Sequence, residues 1–164
     1  MTALLFRYRG ELLAGWGLLA AGLLWPARGC AWSLPLLIAG IGLRLWARRH
    51  IGPHSRGRNL ACPERSVAGP YRFTRHPLYV ANLLVACSIA LSLAGPSWQA
   101  VAVMFIPIAL YAGLSHAENR FVTASNAPTR KGSHDRISGK WRSEWASTLP
   151  QIGLWVALQF LARP

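Results

Sequence analysis

Residues Leu78 to Ser115, LYVANLLVACSIALSLAGPSWQAVAVMFIPIALYAGLS, decide how this chain folds. Two apolar runs, Leu78 to Ala94 and Trp98 to Ser115, carry no charged residue and are separated only by Gly95-Pro96-Ser97, a tight turn signal. At ~1.5 Å per residue each run is a helix of roughly bilayer-core length, so the pair reads as a transmembrane helical hairpin. Pro107 lies inside the second run and predicts a kink, with the freed backbone group satisfied by a neighbouring helix. The whole composition agrees. Of 164 residues 52% are hydrophobic, too many for an ordinary soluble domain of this size, and the length allows one domain.

Immediately upstream stands GPYRFTRHPLY, Gly69 to Tyr79. Gly69-Pro70 is a turn signal, and Pro77 suits the first position of a helix, where its missing N–H has no intrahelical partner to lose. Arg75 and His76 therefore sit at a helix N-terminus, whose free N–H groups and positive dipole end attract anions. The bland alternatives are His76 as a simple N-cap, and Tyr71 and Tyr79 as interface anchors. Residues 48–77 form a long, basic, turn-rich loop, a length that is uncommon without a binding role or mobility.

Further upstream, residues 31–47 make another apolar run with Arg44 near its end, either snorkelling to the headgroups or facing a buried polar ligand. Gly40 and Gly42 in that run leave room for close helix contact, although Gly-x-Gly is not the small-xxx-small spacing and glycine is common in membrane helices anyway. Leu12 to Trp25 is apolar but only about 21 Å long as a helix, so residues 9–25 are needed for a span, with Tyr8, Arg9 and Glu11 reaching the interface. A cleavable leader is rejected, because no clean small-x-small site follows Trp25 and further spans come after it. Downstream, polarity changes sharply at His116. Residues 116–149 are polar and lead into GKWRSEWASTLP, where Trp141 and Trp145 share a helix face; the apolar segment that follows, residues 150–162, is too short to span and is re-entrant, surface-lying or docked against the bundle.

Charge orients these segments. The formal charge of +13 would suit nucleic acid, but the Lys and Arg residues cluster between apolar runs, which points to a membrane instead. Eight lie from Arg44 to Arg75 and six from Arg120 to Arg142, against one, Arg28, after the first run and none in the Gly95 turn. Positive-inside counting puts the N-terminus, loop 48–77 and tail 116–149 in the cytoplasm. Trp25, Trp32, Trp46 and Trp98 at run ends fit an aromatic belt. His50, His54 and Cys62 share a loop without any standard zinc spacing, so no metal is expected.

The residues GPYRFTRHPLYVANL resemble the GPYRxxRHPxYxG signature of the isoprenylcysteine carboxyl methyltransferase and phospholipid methyltransferase superfamily. HAENRFV, from His116, resembles that superfamily's EExxL element, and GKWRSEWASTLP its closing segment. The resemblance covers roughly Arg44 to Pro150. It implies an integral membrane enzyme that transfers a methyl group from S-adenosylmethionine to a lipophilic acceptor, an isoprenylcysteine-like carboxylate or a phospholipid-like amine. It assigns cofactor binding to Arg75, His76, Tyr79 and Glu118; Pro77, and Asn119 as a hydrogen-bonding residue, complete the candidate cofactor set, and Glu118 and Arg72 are the catalytic candidates, an Arg being able to orient a carboxylate acceptor. An amine acceptor would need a base, Glu118 or His116. Three departures stand against the pattern: Asn119 replaces the second acid, Ala81 replaces the Gly after the tyrosine, and the tail segment Thr123 to Asp135, TASNAPTRKGSHD, is less apolar than the family's usual continuation.

The expected architecture is thus an all-α polytopic membrane bundle, four spans over residues 9–25, 31–47, 78–94 and 98–115 plus a C-terminal amphipathic or re-entrant segment. An inner-membrane location follows, with the N-terminus and the active site cytoplasmic. The related sterol reductases, which use NADPH with a similar Arg-His-Pro motif, supply one alternative, and a non-catalytic lipid-binding protein another.

Overall fold

The computed structural model describes residues 8–25, 27–51, 65–66, 68–124, 129–130 and 141–161. Their architecture is helical: α1 Arg9–Leu23, α2 Ser33–Ile51, α3 Pro77–Ala94, α4 Trp98–Ala124 and α5 Trp141–Leu161, with a short 3-10 turn at Gly69–Arg72. One two-residue parallel pairing, Arg65 opposite Thr129 and Ser66 opposite Arg130, ties the segment before the turn to the segment after α4. His54, Cys62 and most of the tail departing from the superfamily pattern lie outside the described residues.

Of the four spans expected, two are long and apolar enough to cross a bilayer, Pro77–Ala94 and Trp98–Arg120. The apolar part of α1, Leu12–Leu23, is shorter, and α2 carries Arg44, Arg48 and Arg49. Large apolar side chains nevertheless face outward on α1, α4 and α5: Leu18, Leu23, Val101, Phe105, Ile106 and Phe160 among them. Water would make such a surface an aggregation liability, whereas hydrocarbon solvates it. This is a membrane protein.

Helix ends differ from the sequence reading at three places. The C-terminus of α2 takes Arg48, Arg49 and His50 into the helix, where a loop was expected from residue 48. α4 runs past residue 115 to Ala124, so Glu118 and Asn119 are helical rather than part of a tail. α5 passes through Pro150 without a break. Proline removes one helical hydrogen bond but does not forbid continuation where packing holds both flanks. Beyond Pro150, α5 is held by a polar node: Trp155 Nε1–H donates to Ser33 Oγ at 3.0 Å and Gln159 Nε2–H to Ser92 Oγ at 2.9 Å. Ser88 Oγ–H in turn donates to the Ser33 carbonyl at 2.8 Å. Three helices, α2, α3 and α5, share these bonds.

The core is built around α3. Val85, Ala86, Ile89 and Leu93 pack with Trp16 and Ala20 of α1, Leu37 of α2 and Leu158 of α5. Pro107 of α4 cannot supply the N–H that would bond the carbonyl four residues back, and that carbonyl, Val103 O, instead accepts the Trp16 Nε1–H at 2.9 Å. Trp16→Phe orphans the carbonyl and puts a smaller ring in a buried site; a destabilisation of about 1 kcal/mol or more is expected in detergent unfolding, the lost bond and the void both contributing.

The other end of α3 is closed by the chain after α1. Arg28 and Gly29 N–H groups donate to Leu93 O and Ser92 O at 3.1 and 3.0 Å, and Arg28 Nη1 reaches Ala94 O at 3.5 Å. These carbonyls are among the last four of the helix, which have no intrahelical donor, and a cation suits that dipole end. Gly95, at φ 66 and ψ −169, ends the helix in a backbone region that essentially only glycine adopts. The α1–α2 connection and the α3–α4 turn therefore meet at one end of the bundle. The motif Gly69 to Tyr79 lies at the other.

Candidate functional site

Gly69 adopts φ +58, and a Cβ there would lie 2.6 Å from the His50 ring, so both backbone and space require glycine. His50 is itself fixed at the end of α2, its Nδ1 2.9 Å from Trp46 O. The buried Pro70 follows, and its carbonyl accepts the N–H groups of Phe73 and Thr74 at 3.1 and 3.2 Å. Thr74 Oγ1 accepts the His76 N–H at 3.4 Å. Pro77, also buried, starts α3. This turn carries the chain from α2 into α3 and sets the direction of His76.

His76 occupies the N-cap position but makes no side-chain cap bond. Its ring instead turns across to α4, with Nε2 3.1 Å from Asn119 Oδ1 and Nδ1 3.4 Å from Glu118 Oε2. Tyr79, one turn further along α3, donates its Oη–H to the same Glu118 oxygen at 2.9 Å. The His76 and Tyr79 rings stack at 5.3 Å, and Tyr79 packs on Tyr111 of α4 at 5.0 Å. Four of the residues singled out in the sequence, His76, Tyr79, Glu118 and Asn119, thus form one cluster between α3 and α4, with Pro77 at its base. Arg72 and Arg75 do not join it. Both side chains are exposed, as is that of His116.

Arg44 neither snorkels outward nor stands alone; its guanidinium reaches Asn82 Oδ1 on α3. Asn82 lies three residues beyond Tyr79, on the same face of α3. Tyr111 escaped the sequence reading although it stands seven residues before Glu118, two helical turns along one face. Tyr71 also gains a different setting. Its hydroxyl is buried without a hydrogen-bond partner, and burial first, then the nearby Glu118 charge, push the phenol well above its ordinary range, with Arg48 acting in the opposite direction. Tyr71 is therefore a protonated donor at any physiological pH.

A half-buried carboxylate held by a phenol and an imidazole, with aromatic faces beside it, suits a ligand bearing hydroxyl or ammonium donors and a cationic centre. Among the described residues no group of three His, Cys, Asp or Glu side chains is placed to hold a metal ion. A family model described as phospholipid methyltransferase matches residues 30–125, more than half of the chain. The chain belongs to the phospholipid methyltransferase family. The matched region begins just before α2, ends just after α4, and contains the whole cluster. No curated protein and no solved structure matches the chain. Membership in this family supports an enzyme of the membrane methyltransferase class.

Proposed function

We propose that the protein transfers a methyl group from S-adenosylmethionine to a lipophilic acceptor held in the bilayer, with the cofactor approaching from the cytoplasm. The observation that carries this reading is the bridge from Tyr79 and His76 on α3 to Glu118 on α4. It lies in the part of the chain that matches the family. S-adenosylmethionine supplies an electrophilic methyl on a sulfonium. Such a displacement needs alignment and exclusion of water more than it needs covalent help from the protein.

In this reading Glu118 accepts hydrogen bonds from the cofactor's ammonium or ribose, and His76 and Asn119 hold its polar edge. Tyr79 and Tyr111 present aromatic faces to the cationic region. The exposed Arg72 and Arg75 remain at the rim, where Arg72 would meet the acceptor's anionic group. The basic segments then lie in the cytoplasm of an inner-membrane protein. The acceptor, carboxylate or amine, enters laterally between helices.

Titration of the purified protein in detergent with S-adenosylmethionine, and separately with NADPH, tests the reading. Saturable binding of the first and none of the second is expected. Binding of NADPH alone would replace methyl transfer by reduction.

A further inference from the structure

We propose that the Tyr71 hydroxyl, with the guanidinium groups of Arg48 and Arg44 on α2, forms an oxyanion subsite separate from the Glu118 cluster. The ligand class is a carboxylate or a phosphate ester. The proposal rests on the methyltransferase reading only for the candidate sources of that oxyanion, the methionine carboxylate of the cofactor or the headgroup of a lipid.

Three observations converge. First, the Tyr71 Oη is buried and makes no hydrogen bond in the structure. A buried hydroxyl without a partner destabilises a fold, so a donor held this way is explained by an acceptor that arrives with a ligand. Glu118 does not serve as that acceptor; its Oε2 takes the Tyr79 Oη–H, with His76 beside it. Second, the turn bearing Tyr71 packs on α2, where the His50 ring occupies the space beside Gly69. Arg48 lies two residues before His50, and its charge acts on the Tyr71 phenol, opposing the larger effect of the Glu118 charge from the α4 side. Third, Arg44 is one helical turn from Arg48 on the same face of α2, and it bends inward to Asn82 rather than out to solvent. Asn82 contributes an acceptor but no charge.

Two cations and a neutral donor that stays protonated make a setting for an anion on the α2 side of Tyr71, because every donor is charge-assisted or preorganised, while the Glu118 charge on the α4 side sets the limit of that setting. Arg75, the residue the sequence offers for this task, is exposed. The subsite therefore moves anion recognition from the tip of α3 to the α2 side of the turn. A ligand bridging the two places would present its anionic group to Tyr71 and Arg48 and its cationic or hydroxyl-bearing part to Glu118.

Tyr71→Phe tests this cleanly, since removing an unpartnered hydroxyl takes no bond from the fold. The full-length variant and the wild type are compared in lipid nanodiscs against four probes. S-adenosylmethionine is set beside decarboxylated S-adenosylmethionine, which keeps the ammonium and the sulfonium and lacks only the carboxylate, and dioleoyl phosphatidic acid beside dioleoylglycerol, which lacks the phosphate. An affinity loss of about tenfold or more for S-adenosylmethionine, with the decarboxylated cofactor unchanged, assigns the oxyanion to the cofactor. The same loss for phosphatidic acid, with dioleoylglycerol unchanged, assigns it to a lipid headgroup. Equal binding by variant and wild type, an equal loss for probes with and without an oxyanion, or a lowered melting temperature each overturns the proposal, as does failure of the wild type to bind either oxyanion probe. If the wild type binds no S-adenosylmethionine, the methyl-transfer reading falls, and the phosphatidic acid arm still decides the subsite.

Discussion

Glu118→Gln is expected to lower affinity for S-adenosylmethionine by tenfold or more, about 1.4 kcal/mol, while leaving the protein folded. The substitution keeps the size of the side chain and one acceptor oxygen, so Tyr79 retains a partner across the α3–α4 crevice. It removes the charge. A hydrogen bond to an ionised acceptor is roughly twice as strong as a neutral one, and the difference grows where water is scarce. Because the Glu118 oxygen that receives the Tyr79 Oη–H also faces His76 Nδ1 at 3.4 Å, His76→Ala should weaken the same ligand. Its effect should be smaller, since the carboxylate and its tyrosine remain. Calorimetric titration, with melting curves as the control for folding, reads both. Unchanged affinity in both variants would move the cofactor away from this cluster.

The sequence made the bundle legible because apolar runs and turn residues act locally. The Gly95-Pro96-Ser97 turn and the Pro at the start of α3 stand where dihedral rules put them. What escaped was decided by residues distant in the chain. Pro107 announces that one carbonyl of α4 needs a new donor, yet only the folded bundle shows that Trp16, 87 residues away from Val103, supplies it. His76 has the position of an N-cap, and no local rule says that its ring bonds Asn119 instead. Arg75 and His76 are adjacent in sequence, but the chain enters α3 between them and Pro77 with one side chain inward and the other exposed. Arg44 could reach headgroups or a neighbour with equal ease in sequence terms; the proximity of Asn82 settles it. Pro150 was misleading for a related reason, since the Ser33 and Ser92 contacts that hold α5 beyond it come from other helices.

Gly40→Leu is expected to be the most damaging single change outside the polar cluster, lowering stability by about 3 kcal/mol or more and removing S-adenosylmethionine binding with it. Gly40 and Gly42 look alike in sequence, two small residues on one helix, and the structure separates them. A Cβ at Gly40 would lie 2.9 Å from Val85 Cγ2, 3.0 Å from Ala81 O and 3.1 Å from Leu84 Cβ, whereas at Gly42 nothing comes within 4 Å. The contact with Ala81 O is with backbone, which cannot rotate aside as a side chain can, so any larger residue must push α3 away from α2. Ala81 is fully buried and two residues beyond Tyr79, so the displaced part of α3 is the part that carries the site. The loss of binding should therefore come with the loss of packing and not separately. Gly42→Leu is the matched control. On an open face the same side chain meets no obstacle, and replacing a helical glycine removes some unfolded-state freedom, so its melting temperature should hold or rise slightly. If both variants fell equally, the damage would reflect helix propensity or insertion into the membrane, and the close approach of α2 to α3 would not be what holds His76 and Tyr79 against Glu118.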